Sequence, residues 1–308
     1  MEIPLAVLKG LADVGVFTPS GINDDIRKDL CDPNDPFLAV DNPGAREIDD
    51  AIRIRKQRGG HLLQVAVVDG AQLSERSDLV DSAIEHGDAA YWAPQDDPML
   101  PGNVVNQLEL RRPNRKHRAT VIQRPYDIYG EPAGDTVIIP AYVRTATITT
   151  ARLGKILYSD PDMRAARDFV LTQTHRNKPR AADDEIPTGN KAYNTGNHAT
   201  NTCMVLANIS VAEWMEERGI PSIRRIYDGI RRAGYAATSG THTGVRAKRD
   251  VPYTHFTSPL RRPADLIEHL QIGHFQAGGE QGILYSSSDL EDRIAQFGNP
   301  HGGFGAAS

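Results

Sequence analysis

The sequence predicts one α+β domain, a mixed and largely antiparallel sheet packed by helices, and three observations predict it. Residues 51–55 alternate apolar and basic, 56–60 read as a turn, and 62–68 form a second, largely apolar strand, the pattern of an antiparallel hairpin. Segments near 119–124, 136–143 and 145–152 are rich in Thr, Val and Ile, which suit a pleated surface. Val205, Ile209 and Ala212, and later Leu266, Ile267 and Leu270, recur at helical spacing.

The remaining elements follow in order. Residues 1–36 read as a lead-in with a short helix over 5–14 and turns forced by Asp32-Pro33-Asn34-Asp35-Pro36. Residues 37–40 are a short strand running into an Asp41-Asn42-Pro43-Gly44 loop. Residues 162–172 look helical, 175–202 read as a long polar loop, and Gly219 is placed to end the helix before it. With no repeat and no clear linker, 37–299 form one domain and 300–308 a Gly/Ala/Ser-rich tail.

Composition excludes several classes. The chain is 39% hydrophobic and 24% charged. Its longest apolar runs, such as Val65-Ala66-Val67-Val68, are too short to span a bilayer. The first residues lack the basic start and long apolar core of a secretory signal, so a cytoplasmic location is expected. Cys31 and Cys203 are far apart, without the spacing of a zinc site or a disulfide framework. The net charge of -5 counts against a generally basic nucleic-acid binder. Yet basic residues cluster at 53–58, at 111–118 (RRPNRKHR), and in the pairs Arg224-Arg225, Arg231-Arg232 and Arg261-Arg262, which together allow a phosphate-tracking groove.

Two stretches carry chemistry. The run DNPGAREIDD places Asp41, Glu47, Asp49 and Asp50 within ten residues. Converging carboxylates repel one another, and hard divalent cations would relieve that repulsion. Two such ions about 3.5–4 Å apart can clamp both oxygens of a phosphodiester displacement. In extended backbone Asp49 and Asp50 point in opposite directions, so a turn or bulge is needed to bring both to one site. The second stretch, VPYTHFTSPLRRPADL, sets Ser258 and Pro259 at a helix start, with Arg261 and Arg262 beside the exposed N–H groups that favour an anion. A solvated acidic loop and a surface Arg pair are the plain alternatives for each stretch alone.

Together the two stretches resemble the catalytic domain of the ribonuclease II/R (RNB) family. The acids stand at the spacing of its Asp-x5-Asp-x-Asp-Asp signature, and residues 253–262 read YTHFTSPLRR against its YTHFTSPIRRY-like signature. Residues 89–101, AAYWAPQDDPMLP, resemble the segment between them, and Leu206, Ala207, Asn208, Ile220, Pro221, Arg225 and Ile226 match weaker positions in the same order. The resemblance covers roughly 37–275. It implies a magnesium-dependent 3′-to-5′ exoribonuclease that shortens single-stranded RNA to nucleoside 5′-monophosphates by a two-metal mechanism. Asp41, Glu47, Asp49 and Asp50 would hold Mg²⁺, or Mn²⁺. Asp49 and Arg261 would be catalytic, and Tyr91, Tyr253, Ser258 and Arg262 would contact RNA.

Four departures from the family pattern bear on this. Glu47 replaces an Asp, Asn201 and Thr202 replace a Glu pair, and Gly154-Lys155 follow Arg152-Leu153 where a tyrosine is expected. Full-length relatives also flank the domain with OB-fold RNA-binding domains, for which this chain has no room. Weak, salt-sensitive RNA binding is expected unless a protein partner supplies the surface. The alternative is a catalytically weakened RNB domain that binds RNA or a partner without cutting.

Overall fold

A computed structural model describes residues 24–92, 95–113, 115–174, 188–227, 233–237, 251–278 and 282–297. The lead-in helix, the Arg231-Arg232 pair and the tail lie outside them. The centre is a hairpin of β3 (Asp50–Gln57) and β4 (Gly60–Val68), paired from Asp50 opposite Val67 to Gln57 opposite Gly60. The turn between is only Arg58-Gly59, and Gly59 takes φ 84°, a left-handed value that favours glycine. Around it stand β2 (Phe37–Asp41), β7 (His117–Asp127), β8 (Val137–Val143), β9 (Thr145–Thr149) and the two-residue β1 (Lys28–Asp29). The seven-stranded order is β1-β8-β7-β4-β3-β2-β9. Only the edge pairs β1/β8 and β2/β9 are parallel, so the sheet is mixed and largely antiparallel, as predicted.

Strand β4 reads GHLLQVAVV and is buried almost throughout, because helices cover both faces of the sheet. On one face Ala66 and Val68 pack with Phe37, Ala51, α1 (Ser77–His86), α2 (Gly102–Leu108), α6 (Pro263–Gly278) and α7 (Ser287–Phe297). On the other, Leu63, Val65 and Val67 pack with α3 (Thr150–Ser159), α4 (Arg164–Thr174) and α5 (Gly189–Glu217). Two antiparallel pairs, β5 (Ala90–Trp92) with β6 (Gln95–Asp97) and β10 (Ile223–Tyr227) with β11 (Ala233–Ala237), stand outside the sheet. Among the described residues no helix is long and apolar enough to cross a membrane.

Three expectations are corrected. The third Thr-rich segment is a strand only to Thr149, whose side chain accepts the Arg152 N–H and starts α3. Of the polar stretch 175–202, residues from Gly189 onward are helix; its Asn, Thr and Lys side chains suit the partly exposed flank of α5 and do not prevent helix formation. Val205, on that helix, is exposed, because the buried stripe runs instead through Ala199, Cys203, Ala207 and Val211. Gly219 does close the helix at φ 65°, with the Ile220 N–H returning to the Met215 carbonyl at 2.9 Å.

Helices α3 and α5 cross with almost no separation. A Cβ on Gly154 would meet the Ala192 carbonyl oxygen at 1.8 Å, and one on Gly196 would meet the Thr150 carbonyl oxygen at 1.9 Å. Both obstacles are backbone, so no rotamer change relieves them. Gly154→Ala or Gly196→Ala should therefore destabilise the chain by about 1–3 kcal/mol or more through overpacking. Equilibrium denaturation measures it, and a variant as stable as wild type would refute the close crossing.

Candidate active site

The acidic stretch begins where β2 ends. The Asn42 N–H donates to the Asp41 carboxylate at 2.6 Å, the Ala45 N–H returns to the Asn42 carbonyl, and Gly44 takes φ 87°. The next residues are pinned from below. Arg111, paired with buried Glu109 at 3.0 Å, donates to the Ala45 carbonyl at 2.8 Å, and the Leu110 N–H donates to the Ile48 carbonyl at 2.9 Å. Ile48 enters the core. Glu47 and Asp49, one residue to either side of it, are buried carboxylates that share Arg261.

The arginine turn meets this loop directly. The Leu260 N–H donates to Asp49 Oδ1 at 2.8 Å, across 211 residues of sequence. Arg261 Nε then lies 3.9 Å from Asp49 Oδ2 and 4.0 Å from Glu47 Oε1, while its NH2 donates to Ser258 Oγ at 2.9 Å. With 44% of its side chain exposed, Arg261 also faces outward. On the far side the Tyr91 hydroxyl donates to Glu47, and the ring is 37% exposed. An open cleft of about 430 Å³ is lined by residues 41–46, Tyr91 and Asp96, and the Arg46–Asp96 ion pair at 2.7 Å ties the β5–β6 pair to the acidic loop.

Electrostatics mark the carboxylates as unusual. Burial raises Glu47, against the Tyr91 hydrogen bond and Arg261, and raises Asp49 well above its ordinary value, against Arg261 and the Leu260 N–H. Burial pushes Asp50 up to about 7, with Arg261 opposing and Asp41 adding repulsion. Burial and mutual repulsion thus push these carboxyls toward their protonated form, a shift that a bound cation would oppose. An all-oxygen donor set of this kind fits a hard divalent ion in its chemistry. Among the described residues no three Asp, Glu, His or Cys side chains already stand at ligand spacing, so closing such a site requires side-chain rotation.

The expected RNA-contacting residues divide. Tyr91 faces the cleft. Tyr253 is half-buried, its hydroxyl accepting from Asn208 Nδ2 at 3.0 Å. Ser258 and Arg262 are turned inward. The Ser258 N–H and Arg262 NH2 both donate to buried Asp265, at 2.6 and 2.7 Å, so Arg262 supports the turn and is not presented to a ligand. Here α6 begins at Pro263, a turn later than the first Pro suggests. Two arginines of the 53–58 cluster also have partners within the chain. Arg53 lies 3.9 Å from the Phe37 ring centre and donates to Gln64, and Arg55 pairs with Asp35.

Sequence reasoning missed the scaffold of this turn. Asn208 Oδ1 accepts the Phe256 N–H at 3.1 Å, so one amide holds both Tyr253 and Phe256. His269 stacks on Phe256 at 3.8 Å, accepts the Gly70 N–H and donates to the Phe256 carbonyl; burial lowers its pKa to about 4, keeping it neutral. An acid at Asp265 and a His four residues later on an apolar helix were the available signals.

Asp50 yields a pH prediction. Its folded pKa of about 7 lies above its ordinary 3.8, so the folded chain binds the extra proton more tightly than the unfolded chain. In chelator, its contribution to stability is therefore fully present below pH 3.8, declines as pH rises to about 7, and then levels off. Asp50→Asn should flatten that decline in denaturation curves between pH 5 and 8. Parallel curves for variant and wild type would refute it.

The RNB domain family model matches residues 27–151. Ribonuclease R of Vibrio parahaemolyticus is 23% identical over 94% of this chain and 45% of its own length. The chain thus spans about half the length of the curated relatives it matches. Mycoplasma genitalium RNase R in complex with ribose-methylated single-stranded RNA has a TM-score of 0.74 at 17% identity, covering 96% of this chain and 57% of that one. Yeast Ssd1, a pseudonuclease, has a TM-score of 0.69 at 16% identity, covering 89% and 44%. The matched segment holds the acidic loop and the sheet built around it, with the arginine turn closing on Asp49, and residues 27–151 carry the RNB domain match.

Proposed function

We propose that this chain is an exoribonuclease that shortens single-stranded RNA from its 3′ end to nucleoside 5′-monophosphates. The observation that carries the reading is the contact of two distant segments, Asp49 with Leu260 and Arg261, beside an exposed aromatic ring at Tyr91. Similarity to ribonuclease R, and to an RNase R structure with single-stranded RNA bound, supports it.

Each residue has a task that follows from its surroundings. Tyr91 offers a ring face to the terminal base, and its hydroxyl stays tied to Glu47. Ser258 orients the Arg261 guanidinium, which stabilises charge on the scissile phosphate from its exposed side. Asp41, Glu47, Asp49 and Asp50 would hold a hard divalent ion, Mg²⁺ or Mn²⁺. That ion supplies charge neutralisation and Lewis-acid polarisation at the phosphate. Glu47 is a side chain longer than the family's Asp, and the near-octahedral demand of Mg²⁺ makes Mn²⁺ the better-tolerated ion.

A second reading, an RNA-binding domain that does not cut, is favoured by one observation. Arg261 already serves Glu47 and Asp49 as an internal counter-cation, in competition with a metal ion. Asn201 and Thr202, on α5 where the family has a Glu pair, favour the same reading.

The deciding experiment uses 5′-labelled single-stranded RNA with Mg²⁺, Mn²⁺ or chelator. Wild type should shorten the RNA stepwise with either metal and leave it intact in chelator. Asp49→Asn keeps an oxygen for the Leu260 N–H, so it should fold yet lose about a hundredfold or more in rate. Arg261→Ala should lose on the order of 10²–10³-fold. RNA left equally intact by wild type and Asp49→Asn in both metals, but retarded by both, would establish the non-cutting reading.

A further inference from the structure

A second cleft, of about 450 Å³, lies between α3, α4 and α5, outside the carboxylate site. Its floor is apolar, from Leu157 and Val170, with Tyr158 at one side. Its other described lining residues include Arg167, Lys191 and His198, and no Asp or Glu. That local excess of cations stands out in a chain of net charge -5. Arg167 lies 5.6 Å from the Tyr158 ring centre and touches neighbouring Asp168 through Nε at 3.4 Å. The Thr174 hydroxyl and His198 Nε2, 2.6 Å apart, join the end of α4 to α5.

The cleft is close to the acidic loop. Lys191, Asn194, Thr195 and His198 follow i, i+3, i+4, i+7 spacing on one face of α5. Tyr193, on the same turns, is exposed, and its hydroxyl accepts from Asn42 Nδ2 at 3.3 Å. The first turns of α5 therefore border both places. An apolar floor rimmed by cations matches a nucleotide, with a base to bury and a phosphate to neutralise, and the volume is ample for one.

Resting on the exoribonuclease reading, we propose that this cleft is a second RNA site. It takes an upstream nucleotide of the single strand whose 3′ end lies at Tyr91, with the base on the apolar floor and the phosphate at Arg167 and Lys191. The strand joining them passes the first turns of α5, where Tyr193 meets Asn42 of the acidic loop.

The test is equilibrium binding of the full chain, in chelator, to fluorescent oligoadenylates of four and twelve nucleotides. The charge-reversal pair Arg167→Glu/Lys191→Glu is compared with wild type and with Arg218→Glu, at the far end of α5. Wild type should bind the dodecamer better than the tetramer. The double variant should weaken dodecamer binding at least tenfold and reduce the log-affinity against log-salt slope by about 1.4, from about 0.7 for each single-strand phosphate contact. Arg218→Glu should stay within twofold. Arg167→Gln, which preserves the planar packing on Tyr158, should show part of the loss with unchanged thermal unfolding. A dodecamer carrying 5-iodouridine should photocrosslink to the peptide containing Tyr158.

Equal losses in the double variant and Arg218→Glu, or no gain from tetramer to dodecamer, would overturn the site while leaving the exoribonuclease reading intact. AMP competition as strong as the tetramer's, lost in the double variant, would assign the cleft to free mononucleotide and overturn strand binding. Wild type that binds no RNA at all would overturn both proposals.

Discussion

The buried hydrogen bond from the Leu260 N–H to the Asp49 carboxylate, 2.8 Å long, joins the end of the acidic loop to the arginine turn across 211 residues. It sets the distance at which Arg261 meets Glu47 and Asp49, and so the charge balance of the site. A carboxylate that accepts a backbone N–H in a buried place is held in one rotamer. Its second oxygen is then aimed at the guanidinium. Everything else near the site keeps one side or the other of this bond in place.

On the turn's side the support is a polar network within the core. Asn208 reaches from α5 to hold Tyr253 and Phe256, Asp265 gathers the Ser258 N–H and Arg262, and neutral His269 bridges Phe256 to Gly70. Glu268, one residue before His269, accepts the Ile223 N–H and the Thr254 hydroxyl, tying β10 to the same turn. Such groups are costly to bury without partners and specific when satisfied. On the loop's side, Arg111 and Leu110 hold residues 45–48 from below. Two rigid halves therefore meet at a bond that neither could place alone.

Charge is distributed in the same functional sense. Within the net charge of -5, some cations of the basic clusters serve internal partners: Arg53 lies over Phe37, Arg111 pairs with buried Glu109, and Arg262 with buried Asp265. Composition alone counts these as surface positive charge. Arg261 at the carboxylates and Arg167 with Lys191 in the α3–α4–α5 cleft remain directed toward open space, and the two places share the first turns of α5.

The sequence by itself determined the hairpin, the strand order of residue types and the acidic loop, because local periodicity and the Pro43-Gly44 turn act over a few residues. It also singled out the side chains proposed to carry chemistry: the four carboxylates, Tyr91 and Arg261 stand in short, specific motifs. It misjudged the stretch from Gly189, whose polar residues hide a helix that is anchored by its Gly154–Gly196 crossing with α3. It grouped Arg262 with Arg261, although adjacent side chains in a turn face different ways and only tertiary packing sends one to Asp265. The contact of Asp49 with Leu260 could be decided only in the folded chain, since no local rule relates backbone and carboxylate 211 residues apart.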